Sequence, residues 1–178
     1  MREALRTVRG QGPPDFTELM LATSARLLAL SDLGVDEAEG RRRAEQAIAD
    51  GSALVAYERW ISAQGGDPDE AVLPAAPVVL EVSAPRNGVV ARLGATRVGL
   101  AALHLGAGRR TKEDTLDHAV GIVCLKKRGD AVSTGEPLAE IHAKDEGAAG
   151  EAAEEVLAAY ELADEPPAAR SIVLETLA

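Results

Sequence analysis

The sequence predicts an α+β protein: a helical segment followed by a mixed domain of short strands and two helices. Three observations predict it. Apolar residues recur at helical spacing up to residue 66, a proline- and acid-rich stretch follows, and beyond it short β-like runs alternate with glycine turns around an inserted helix. A helix set among strands in this way belongs to the α+β class and not to a doubly wound sheet.

Each element has a local reason. Ala4, Leu5 and Val8 place a first helix, which Gly10, Gly12, Pro13 and Pro14 stop. Asp15, with Glu18 three residues on, reads as a capping-box variant opening a second helix. Leu19, Leu21, Leu27, Leu28 and Leu30 occupy more than one stripe of it, so it is expected to be buried on most sides and to close at Gly34. Asp36 caps a third helix that runs through Ile48 and Ala49 to Gly51. Ser52 caps a fourth, carrying Leu54, Tyr57, Trp60 and Ile61 to Gly65 and Gly66. Residues 1–66 form the helical segment, 67–76 a linker, and 77–178 the second domain.

In that second domain, "VVLEVSAP" and "NGVVARLG" are expected to pair as a hairpin through Pro85, Arg86, Asn87 and Gly88. "ATRVGLAALHLG" is a short helix ending at Gly106. "HAVGIVCLKK", "AV" and "PLAEIHA" are strands, broken at "RGD" and "STGE". "GEAAEEVLAAYEL" is an amphipathic helix, and "SIVLETLA" supplies a last edge strand.

Composition excludes several functions. The net charge of -10 repels phosphate backbones and anionic membranes, so neither nucleic acid nor a membrane is an expected partner. Aromatic residues are 2% of the chain, too few for a base-stacking platform, and the core must be built from Ala, Leu and Val. The basic run Arg41-Arg42-Arg43 sits among acids and reads as a solvated helix face. Cys124 is the lone cysteine, so a disulfide within the chain and a cysteine zinc site are excluded; it reads as a small core residue. No leader-like apolar stretch opens the chain and no run approaches a membrane span, so a soluble, cytoplasmic protein is expected.

The motifs that could carry chemistry lie in the second domain. "CLKKRGDAVSTGEPLAEIHAKD" resembles the strand-turn-strand run with which biotinyl and lipoyl modules present a carrier lysine. Gly129-Asp130 and Gly135-Glu136 match its turns, since glycine accepts positive φ and the carboxylates can bond nearby backbone donors. Lys144 would be that lysine. It lacks flanking methionines, stands one residue short, and leads into a helix with no returning strand. The shape is therefore expected without the modification, and a carrier module using Lys144 stands as the alternative.

"GAGRRTKED" looks like a phosphate loop but fails both the P-loop and the G-x-G-x-x-G patterns. Gly106 reads more simply as a helix C-cap. Arg109, Arg110 and Lys112 remain candidates to meet an anion. His104, His118 and His142 share no metal-ligand spacing, and His104 is expected to pack on its apolar helix. Asp114, Asp117 and His118 lie together in "DTLDHAVG" without a nucleophile in a suitable turn. No catalytic residue and no metal site is assigned.

Taken in order, "AQGGDP", "LGAGRRTKEDTLDHAVGI" and "PLAEIHAKDE" resemble the C-terminal part of the pyrimidine-nucleoside and thymidine phosphorylases, from about the first residues to about Ala163. The resemblance implies an α/β-hammerhead for 77–178, related in shape to the biotinyl and lipoyl modules with their sandwiched hairpins. It implies helices in 1–66 that end a large α/β domain. It also implies cleavage of pyrimidine nucleosides by phosphate, as co-substrate and with no other cofactor, to a base and a pentose 1-phosphate. The implied assembly is a homodimer. The family's Lys-His-Ser-Thr-Gly-Gly phosphate signature is absent here, as are its base-holding Arg, Ser and Lys. The metal-ion ligand of some members falls in a segment before Met1. The expectation is a C-terminal portion, inactive alone, that works with the N-terminal portion of the same enzyme, its 106–114 loop bordering the cleft. A purely structural or partner-binding fragment is the remaining alternative.

Overall fold

The structure, a computed structural model, describes residues 1–176. It divides into two compact units, the first comprising residues 1–72 together with 170–176, the second residues 73–169.

The first unit holds four helices: α1 Arg2–Val8, α2 Pro14–Ala29, α3 Glu37–Ala49 and α4 Ser52–Ala63. Asp36 caps α3 as expected, accepting from the Glu39 N–H at 2.8 Å. Two other predicted caps are corrected. Asp15 lies inside α2, which Pro14 opens at N1 behind extended Pro13, because proline's fixed φ suits the first helical position and its missing N–H costs nothing there. Ser52 is likewise inside α4; Gly51, at φ +78, is the turning residue, and the Asp50 carboxylate receives the Ser52 N–H. The second helix also ends at Ala29, short of Gly34.

The burial expected of α2 is not found. Only Leu21 and Ala25 are buried on it, whereas Leu27 is 64% and Leu30 85% exposed. Within this unit α2 packs on α3, where Gly40 allows the close approach: a Cβ there would stand 2.7 Å from the Ala25 carbonyl oxygen. Arg41 spans the same pair of helices with two hydrogen bonds to Glu18, at 2.7 and 3.0 Å. Arg42 and Arg43 pair with Glu39, so the basic run is a solvated, ion-paired face. On α4 no residue is buried, and Val55 and Trp60 lie open.

The second unit contains β1 Val78–Ser83, β2 Gly88–Leu93, α5 Ala95–Ala102, β3 Gly121–Cys124, β4 Ala131–Val132, β5 Pro137–Ala143, α6 Glu146–Leu157 and β6 Tyr160–Ala163. They form two antiparallel three-stranded sheets, ordered β1-β5-β3 and β4-β2-β6. The class is α+β, as predicted.

Three details differ from the sequence reading. First, β1 and β2 are not a hairpin: Leu80 pairs with Ile141 and Val90 with Leu162, so consecutive strands enter different sheets. Second, Tyr160 to Ala163 leave the helix and form β6, because pairing with β2 outweighs the helical period of "LAAYEL". Third, residues 171–176 form no strand, and Leu177 and Ala178 of that expected strand lie outside the described residues.

Alternation places the core. On β5, Ala139, Ile141 and Ala143 are buried while Glu140 and His142 face the other way. Helix α6 covers β1 and β5 with Ala149, Ala152 and Val156, and its N-cap Asp145 accepts from the Ala148 N–H at 2.8 Å. Val90, Val132, Leu138 and Tyr160 join the same cluster, as does Leu105. The two glycine turns behave as their residues require: Gly129 at φ +99 and Gly135 at φ +82. Asp130 accepts from the Lys127 N–H and Glu136 from the Ser133 N–H.

Tyr160 fastens the two sheets. Its ring is buried among them, and its hydroxyl lies 2.8 Å from the Leu138 carbonyl oxygen and 2.9 Å from that of Lys126. Burial, with Cys124 beside it, pushes the phenol well above its ordinary range. Cys124 itself is only half-buried.

Candidate functional site

The strongest local signal in the sequence, "LGAGRRTKED", folds as a loop thrown out from the end of α5. The helix passes into a π-helical turn, Leu103–Ala107, a form that recurs at functional positions. Gly106 breaks the helical backbone inside that turn at φ +106, in the left-handed region that a side chain resists, while the cap expected at Gly106 falls at Gly108. The Gly106 carbonyl accepts from the Asp117 N–H at 3.0 Å, which closes the far end of the loop onto its base.

Asp114 organises the interior. One carboxylate oxygen accepts from the backbone N–H of Arg110 at 2.9 Å and of Thr111 at 3.1 Å. The other accepts from the Thr111 hydroxyl at 2.8 Å. These bonds, the hydroxyl's first, hold the Asp114 carboxyl below its ordinary range. Asp117 similarly binds the Ala119 N–H. Both acids thus serve the backbone, and neither forms a relay with His118, which is exposed.

Between this loop and α6 lies an open groove of about 540 Å³. Its polar lining comes from His104, Arg110, Asp114, Thr115, Glu151 and Glu155. Of the three basic candidates, Arg110 lines the groove, whereas Arg109 and Lys112 are exposed outside its lining. Three carboxylates face one guanidinium, a balance that repels a dianion.

His104 is corrected. It does not pack in an apolar core; its side chain is half exposed and its Nδ1 lies 3.0 Å from both oxygens of Glu155. The turn rotates it off the face that carries buried Leu105. The Glu155 partner was not foreseen, because only the topology brings α6 beside the turn. His142 lies elsewhere, on the outer face of β5, its Nε2 3.5 Å from Glu140. The three histidines are not brought together, and among the described residues no group of His, Cys, Asp or Glu could hold a metal ion.

Lys144 is exposed at the junction between β5 and Asp145, the cap of α6. A strand-to-helix junction is not the hairpin tip on which a carrier lysine is presented. Among the described residues no helix is long and apolar enough to cross a membrane.

Comparison with known proteins agrees with this arrangement. Residues 89–163 match the pyrimidine nucleoside phosphorylase C-terminal domain, from β2 to the end of β6. The chain is 43% identical over 150 residues to a pyrimidine-nucleoside phosphorylase of Geobacillus stearothermophilus, covering 82% of this chain and 35% of that protein. Those of Staphylococcus haemolyticus and Bacillus subtilis are 41% and 39% identical over the same shares. The chain spans about a third of the length of these curated relatives. By its sequence, this chain belongs to the pyrimidine-nucleoside phosphorylase family, as a counterpart of its C-terminal part.

Proposed function

We propose that this chain is the C-terminal portion of a cytoplasmic pyrimidine-nucleoside phosphorylase, which cleaves pyrimidine nucleosides with phosphate to a base and a pentose 1-phosphate. The identity of 43% over 82% of the chain carries this reading. Phosphorolysis needs fixed donors and positive charge, both for the attacking phosphate and for the departing base. The described residues offer one guanidinium among carboxylates in the loop groove. The phosphate and base contacts are therefore assigned to the N-terminal portion, the partner of this chain in the homodimeric enzyme.

The helical unit supports that partnership. Leu19, Leu27, Leu30, Val55 and Trp60 are exposed. A second groove, of about 450 Å³, is lined by Val8, Met20, Leu27, Leu28, Ala47 and Ile48. An apolar lining of this kind fits a binding face. In this reading the rest of the large domain covers it, and the 106–114 loop borders the cleft.

The test is phosphorolysis of uridine and thymidine, followed by release of free base. The isolated chain is expected to be inactive, and activity to appear when the N-terminal portion of a relative is supplied. Phosphate-dependent turnover by the chain alone would place the site here and overturn the assignment. Replacing Arg109 and Lys112 together by alanine in the intact enzyme tests the loop: unchanged kinetics would remove it from the cleft.

A further inference from the structure

The 106–114 loop is stiffened from within but needs an anchor to the rest of its unit. The bonds of Asp114 all return to Arg110 and Thr111, inside the loop itself. The Gly106–Asp117 bond joins the two ends of the loop. Neither ties it to a neighbouring element. The side-chain tie outward is His104, reaching Glu155 on α6 at 3.0 Å to each carboxylate oxygen. His104 stands two residues before Gly106, so whatever holds it holds the root of the loop. Leu105, buried in the core, holds the inner side of the turn, and the His104–Glu155 pair holds its exposed side.

We propose that His104 is a positioning residue, whose Nδ1 donates to Glu155 and fastens the π-helical turn to α6, fixing the root of the 106–114 loop and the width of the groove beside it. Glu151 lines the groove on the α6 side, and Arg110 and Asp114 on the loop side. An α-helical end would hold the turn by its own ladder. Here Gly106 breaks the helical backbone, so that ladder does not run on into the loop and a side-chain tether bears on its root. The consequence for turnover rests on the phosphorylase reading; the tether does not.

Amide hydrogen exchange on the full chain tests the tether. The reporters are Asp117, bonded to Gly106, and Arg110 and Thr111, bonded to Asp114, with the β5 amides as internal reference. His104→Ala is expected to speed exchange at Asp117 by about three- to tenfold, within the range for one net hydrogen bond. His104→Asn places an amide donor where Nδ1 stands, and is expected to restore the rate to within about twofold of the wild type. The β5 amides stay unchanged in both variants. An unchanged Asp117 amide in His104→Ala, or His104→Asn exchanging as fast as His104→Ala, would overturn the tether. Kinetics of the intact enzyme then separate the two ideas. Lower kcat/KM in His104→Ala, rescued by His104→Asn, ties the tether to turnover. Faster exchange with unchanged kinetics keeps the tether and removes the loop from the cleft.

Discussion

Removing the Tyr160 hydroxyl tests how the two sheets are joined. The hydroxyl has one proton and two carbonyl neighbours, at 2.8 Å (Leu138) and 2.9 Å (Lys126). Leu138 is not left wanting in Tyr160→Phe, because its carbonyl also accepts from the N–H groups of Leu125 and Lys126. The ring still fills its place in the core. The loss therefore reduces to about one net hydrogen bond, ~1 kcal/mol, which for a domain of this size lowers Tm by about 4–8 °C. Urea unfolding followed by circular dichroism measures it, with the m-value expected to stay constant. A second signature comes from titration. Burial raises the phenol above its ordinary value of 10.0. The folded state then binds a proton that the unfolded state has released. Stability is fully present below about pH 10 and falls as pH rises from there toward the folded value, by up to ~1.4 kcal/mol per pH unit. Tyr160→Phe should abolish that alkaline slope. A variant as stable as the wild type at neutral pH, with its alkaline slope intact, would refute the argument that this hydroxyl joins the sheets.

Three further outcomes are expected. Gly40→Ala should destabilise the helical unit by about 1–3 kcal/mol, since its Cβ would press on the Ala25 carbonyl at 2.7 Å; Trp60 fluorescence during thermal unfolding reads it. Asp114→Ala should make the loop a preferred tryptic site at Arg109, Arg110 and Lys112. The wild-type loop should loosen in the same way as pH falls through and below the ordinary carboxylate value of 3.8, because a lowered folded pKa gives stability that acid removes; equal cleavage of variant and wild type at neutral pH would count against the Asp114 bonds. Expression with a biotin or lipoate ligase should leave the intact mass unchanged, and a mass gain lost in Lys144→Arg would restore the carrier reading.

What could be read from the sequence was what local chemistry decides. Asp36 caps α3 through the third residue on, and Gly129 and Gly135 take positive φ beside the carboxylates that complete their turns. Gly106 takes positive φ within its own turn for the same reason. The family segments, too, were legible as ordered strings. What escaped depends on distant partners. "VVLEVSAP" and "NGVVARLG" have hairpin chemistry between them, yet each finds a better partner beyond residue 130. "YEL" continues a helical period and becomes strand only because β2 offers an edge. The leucines of α2 predict a helix buried on most sides, and this unit does not bury it: Leu19, Leu27 and Leu30 are exposed. His104 was read from its apolar neighbours alone, because nothing in the sequence says that Glu155 stands opposite.

The division of β1 and β2 between two sheets has a consequence for how this domain comes into being. Val78 waits for Ala143 and Leu93 for Tyr160, so neither sheet can close as the chain is made; both need its last strands. Such long-range pairing predicts slow folding, with β3 and β5 as the most local antiparallel pair from which it can start. It also sets where the domain can be cut. A boundary drawn at residue 89, where the family match begins, removes β1, exposes one edge of β5 and takes away part of the bed on which α6 lies. A cut that keeps every strand of this unit begins upstream of Val78 and runs past Ala163.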